Sequence, residues 1–93
     1  MDQLEEVRRG EEAERLMSHP LMVEAFEKVR SAILDSMVKS AVGDERTHHN
    51  LVLAMQTLGM IEKNMRTIME TGKMAGIQIE RGLTGKLKAA VGF

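Results

Sequence analysis

The 93-residue chain has no cysteine, tryptophan or tyrosine, a single proline, Pro20, and only two aromatic residues, Phe26 and Phe93. Without cysteine, a disulfide framework and a thiolate zinc site are both excluded. One proline leaves long stretches free of the strongest helix breaker. No run approaches the roughly 20 apolar residues that span a bilayer, and the acidic start Asp2-Gln3-Leu4-Glu5-Glu6 is unlike a signal peptide. The expectation is a soluble, cytoplasmic chain with no membrane partner. A domain of this size buries only about 60% of the surface its unfolded form exposes. Small folds without disulfide or metal commonly make up that deficit by association.

In place of aromatics the chain carries nine methionines, which pack adaptably and specify a core less sharply than Leu or Phe. Net charge is −1, but it is unevenly spread: residues 1–17 hold six acids and three bases, residues 73–93 one acid and four bases. Termini of opposite sign could serve head-to-tail association or a polyanion-binding tail, but two solvated ends are the favoured reading.

Residues 2–17 read as a short helix, with Glu5 and Arg9, then Glu11 and Arg15, at the acid-first i,i+4 spacing. Leu4, Val7, Ala13, Leu16 and Met17 form a narrow apolar stripe interrupted by Gly10, which predicts fraying at the start. Ser18-His19-Pro20 ends this segment, since proline suits the first position of a new helix. That second helix is expected over 20–42. At 100° per residue, Met22, Phe26, Val29, Ile33 and Met37 share one face. Leu21, Ala25 and Ala32 lie on one flank of it, and Val23, Leu34, Val38 and Ala41 on the other. The polar arc Glu24, Lys28, Ser31 and Asp35 is narrow, so the helix offers more apolar surface than one neighbour covers.

Gly43-Asp44 predicts a tight turn, with glycine in a left-handed position and aspartate capping the third helix. A connection this short makes its two helices antiparallel. The third helix is expected over 45–71, where Leu51, Ala54, Leu58, Ile61, Met65 and Ile68 alternate spacings of three and four and would pack the hairpin. Leu53 and Met60 lie nearly opposite and, with Met22, Phe26, Val29, Ile33 and Met37, are candidates for self-association. From Gly72 to Gly85 there are four glycines in fourteen residues. Residues 73–93 therefore read as a basic tail beyond a helical domain of 1–72. In the tail Ile77 and Ile79 alternate like a short strand, while Leu83, Leu87, Ala90 and Val91 would share a face of a terminal helix. Such a tail either orders on meeting a partner or stays flexible. The fold class is all-α: an antiparallel helical hairpin with a short N-terminal helix and a glycine-containing tail.

Chemistry has little to work with. Glu45-Arg46-Thr47-His48 matches the Glu-x-x-His spacing of di-iron bundles, but such a site needs carboxylates from facing helices, and near the turn the charged neighbour is Lys39. His48 and His49 diverge by about 100° on a helix and cannot meet one small ligand from one chain. Thr84-Gly85-Lys86 lacks the hydroxyl after lysine that a phosphate loop requires, since Leu87 stands there. No nucleophile, metal site or cofactor is expected, and hence no enzyme. Lys73, Arg81, Lys86 and Lys88 could contact phosphates or a partner, although the arm has no aromatic before Phe93 to stack on a base.

The order Arg9-Gly10-Glu11-Glu12-Ala13-Glu14-Arg15-Leu16, His19-Pro20-Leu21, Glu24-Ala25-Phe26 and Glu70-Thr71-Gly72-Lys73-Met74-Ala75 resembles short helical proteins encoded in the head and DNA-packaging regions of tailed bacteriophages. The resemblance covers most of residues 9–75. It departs at Met37, where the group often has an aromatic. It implies a structural or accessory role: a non-enzymatic assembly or adaptor protein, homo-oligomeric and with a phage or host protein as partner, in the host cytoplasm or the virion. The alternatives are a component like a small terminase subunit that grips DNA through the basic tail, and a small host-directed inhibitor.

Overall fold

The computed structural model describes the backbone of residues 1–90 and the side chains through Leu87. It is all-helical: α1 (Gln3–Ser18), α2 (Pro20–Lys39) and α3 (Glu45–Ala90), with no strand among the described residues.

Each helix start is written in a local side chain. Asp2 Oδ1 accepts the amide of Glu5 at 2.8 Å, and Glu5 and Glu6 place negative charge at the positive end of α1. His19 alone separates α1 from α2. Its backbone is extended, its Nδ1 accepts the Leu21 amide at 3.1 Å, and Pro20 stands at the first helical position. Helix α2 stops at Lys39, short of the expected Val42, because Ser40 turns extended and its hydroxyl donates to the Met37 carbonyl at 2.9 Å. Asp44 then caps α3, with Oδ1 accepting the Thr47 amide at 3.1 Å and Oδ2 its hydroxyl at 2.7 Å. Those bonds lower the Asp44 pKa below its ordinary 3.8. Gly43 does not occupy the left-handed region, and a Cβ there would meet nothing. The turn is thus held by Ser40 and Asp44, not by glycine's freedom.

The expected end of the third helix at Gly72, the strand-like Ile77 and Ile79, and the separate tail are corrected: α3 runs unbroken through Gly72, Gly76, Gly82 and Gly85 to Ala90. Glycine inside a helix costs up to about 1 kcal/mol relative to alanine but does not by itself terminate one. At Gly72 it meets a packing demand instead. Val91 and Phe93 lie outside the described residues.

The chain divides into two compact units, one of Met1–Arg15 with the chain from Met65 onward, the other Leu16–Asn64. In the first, α1 packs on the later part of α3 through its smallest residues. Gly10, Ala13, Gly72 and Ala75 are its buried positions. A Cβ on Gly10 would sit 2.9 Å from Gly72 Cα, and one on Gly72 would sit 2.8 Å from the Glu6 carbonyl oxygen. Backbone therefore lies against backbone. Gly10 meets Gly72, Gly76 lies nearest Val7, and Gln3 Nε2 donates to Gln78 Oε1 at 2.6 Å. Position falls along α1 as it rises along α3, so the two run antiparallel. The interruption of α1's stripe by Gly10 is thus its closest contact.

In the second unit the covered positions are Met22, Phe26, Arg30, Ile33 and Met37 on α2, and Leu51, Met55, Leu58 and Glu62 on α3. Both lines advance by steps of three and four, the period that keeps one face of a helix on its neighbour. Within them Arg30 forms an ion pair with Glu62. The exposed pairs Glu24–Lys28 and Asp35–Lys39, each 2.8 Å, lie on the polar arc of α2.

Candidate interaction surfaces

Only Ala13, Ile33, Leu58 and Ala75 are buried apolar side chains among the described residues, and no large side chain is fully enclosed. The surface is where the apolar residues stand.

Of the residues expected to mediate self-association, Met22, Phe26 and Met37 are half-buried and Ile33 is buried, so the chain itself largely covers them. Val29 (47% exposed), Leu53 (46%) and Met60 (69%) are open. The covered line of α2 passes through Arg30, where hydropathy points to Val29. Of the expected hairpin residues, Leu51, Met65 and Ile68 are half-buried and Leu58 is buried, whereas Ala54 and Ile61 are exposed. On α3 the covered edge lies one residue further along, at Met55 and Glu62. A sequence pattern weighted by hydrophobicity prefers Ile61 to Glu62. It has no means of seeing that Arg30 supplies Glu62 with a counter-charge.

The basic residues Lys73, Arg81 and Lys86 are all exposed. At 100° per residue Arg81 is turned about 80° from Lys73 and Lys86 a further 140° or so, and the three share no face. Lys88 lies outside the described side chains. No three His, Asp or Glu side chains gather where they could hold a metal among the described residues, Glu45 and His48 included. His48 Nε2 is buried without a hydrogen-bond partner, one turn into α3. The groove between α1 and α3 in the first unit, about 290 Å³, has Gly10, Gly72 and Gly76 along it with Glu11, Glu14 and Lys73 beside them. It is shallow because its glycines bring the backbones together, and it gathers no nucleophile.

No family model, curated protein or solved structure matches the chain. Its function has to be argued from these surfaces. Leu21 (68%), Leu34 (49%) and Val38 (84%) on α2, with Val52 (43%) on α3, add to the open apolar set of the second unit. No described helix is long and apolar enough to cross a membrane.

Proposed function

We propose that this chain is a non-enzymatic assembly or adaptor protein of the phage type, in which α2 and α3 fold back as an antiparallel hairpin about Gly43-Asp44 and copies associate through the apolar surface that the hairpin leaves open. The short connection between Ser40 and Glu45 and the Arg30–Glu62 ion pair support the hairpin. The observation that carries the association is the thin core: four buried apolar side chains, two of them alanine, among the described residues. A two-helix layer buries too little to offset the chain entropy lost on folding, which is about 1–2 kcal/mol per residue for the backbone alone. A second layer supplies the missing burial. The open apolar surface favours a binding role, and the likeness to phage head-region proteins supplies the setting. A DNA-packaging role is less favoured, because Lys73, Arg81 and Lys86 point to different sides of their helix.

Light scattering after gel filtration tests the proposal. The expected mass is a multiple of 10.4 kDa. A monomer at every concentration would overturn the self-associating reading.

A further inference from the structure

We propose that Met37 and Met55 form an oxidation-sensitive modification site, at which hydrogen peroxide converts the two thioethers to sulfoxides and so loosens the hairpin of the second unit. The inference rests on the antiparallel hairpin proposed above and adds a modification that opens it.

With no cysteine, tryptophan or tyrosine in the chain, its nine methionine thioethers are the side chains on which a two-electron oxidant acts first. Not one described methionine is buried. Met1 (68% exposed), Met60 (69%) and Met74 (58%) stand open, whereas Met17, Met22, Met37, Met55, Met65 and Met69 are half-buried. The two groups differ in what a sulfoxide does to them. On an open side chain the new S–O dipole stays in water and costs the fold nothing. A half-buried thioether is within reach of a small oxidant and still carries packing, so its oxidation is both accessible and consequential.

Met37 and Met55 are set apart from the other half-buried methionines by lying level with each other. Counting from the Arg30–Glu62 ion pair, seven residues onward in α2 and seven back in α3 arrive at these two. Both steps are two helical turns, about 10 Å, taken toward the connection between the helices of the antiparallel hairpin. Between the two levels lie Ile33 and Leu58, the buried apolar side chains of this unit. The methionine layer therefore closes one side of that small core and the ion pair the other. A sulfoxide oxygen in this layer needs a hydrogen-bond donor. Ile33, Leu51 and Leu58 have none, and the Ser40 hydroxyl is already given to the Met37 carbonyl. Arg30 lies two turns from Met37 and holds Glu62, while His48 lies two turns from Met55 on the other side. Water is the remaining donor, and a sulfoxide reaches it by leaving the covered line.

The step balances at each sulfur. A lone pair attacks one oxygen of the peroxide, an S–O bond forms, the O–O bond breaks and the second oxygen leaves as water. Sulfur is oxidised by two electrons and the peroxide is reduced by two. Two thiols reverse the change, becoming a disulfide and releasing water as the thioether returns.

The experiment treats the whole chain with hydrogen peroxide, locates sulfoxides by peptide mass spectrometry and reads amide exchange at Ile33 and Leu58. Oxidation of Met37 and Met55 is expected to speed that exchange at least about tenfold, the effect of one poorly satisfied polar group in the layer. Met37→Leu with Met55→Leu roughly keeps the layer's volume and is expected to stay protected under the same treatment. Met60→Leu with Met74→Leu is expected to lose protection as the wild type does. Thiol-dependent methionine sulfoxide reductases should restore slow exchange to the oxidised chain, and continued fast exchange after full reduction would overturn a reversible site. Unchanged exchange with both residues oxidised would overturn the proposal, as would equal acceleration in the Met37→Leu, Met55→Leu chain or sulfoxides confined to the open methionines. The hairpin has a readout of its own: a nuclear Overhauser effect between the Met37 and Met55 methyl groups is expected in the reduced chain. Its absence would overturn the hairpin register, and its presence without any change in exchange on oxidation would overturn the oxidation site alone.

Discussion

At the scale of single residues, the glycines divide by what stands next to them. Gly10→Ala and Gly72→Ala would each drive a methyl group into backbone that has no rotamer to yield, at 2.9 and 2.8 Å respectively. Overpacking of this kind costs typically 1–3 kcal/mol, and the gain in helix propensity returns about 1 at most, so urea titration should show a net loss. Gly59 also lies inside α3, yet a Cβ there meets nothing. Gly59→Ala is therefore expected to raise stability by roughly 0.5–1 kcal/mol, and equal effects at Gly59 and Gly72 would contradict the close contact. Asp44 gives a pH-dependent counterpart. Its folded-state pKa is depressed by the two bonds from Thr47, so its contribution is present above the ordinary value of 3.8 and is lost as pH falls through the lower folded value. Asp44→Ala should accordingly lower the thermal midpoint at neutral pH, and its effect should shrink as pH falls below 3.8 and through the lower folded-state value.

At the scale of elements, α3 is one helix whose parts are held very differently. Gly72 and Ala75 are buried against α1, whereas every described side chain from Glu80 to Leu87 is exposed. A proline at position 82 breaks the helix within the exposed stretch, one turn beyond the Gln3–Gln78 contact, and Gly82→Pro should lower helical ellipticity with only a small drop in the unfolding midpoint. Proline at Ala75 should unfold the first unit. Amide exchange ought to show the same contrast, with protection lost beyond Gln78. The pair Arg30–Glu62 matters for register more than for strength. Its side chains are 40% and 26% exposed, so solvent screens it, and removing one partner alone is expected to cost only about 1 kcal/mol. Replacing both by methionine should restore or exceed the original stability while loosening the choice of register, visible as broadened amide resonances in the second unit.

At the scale of the whole molecule, the ratio of open to buried apolar residues governs behaviour. If association supplies the second layer, folding and assembly are one equilibrium, and the thermal midpoint must rise with protein concentration. A midpoint independent of concentration over a hundredfold range, together with a monomeric mass, would mean that two-helix layers suffice here. Methionine contributes to this character. With Met22, Met37 and Met55 half-buried along the covered lines of the second unit, contacts there are made by flexible side chains and gain specificity from the Arg30–Glu62 pair.

The sequence by itself determined the helices and their starts, because capping is local: Asp2, His19-Pro20 and Asp44 each satisfy an amide within three residues of themselves. It also determined that α2 has apolar residues on both sides of its covered line, since 100° per residue is a property of any helix. Where α3 ends was not determined locally. Gly72 is equally at home as a terminator or as a contact point, and only the backbone of α1 lying 2.8 Å from its missing Cβ decides between them. The same holds for the covered edge of α3. Hydropathy favours Ala54 and Ile61, and what turns Met55 and Glu62 inward is a charged partner 32 residues away, information that exists only once the chain has folded.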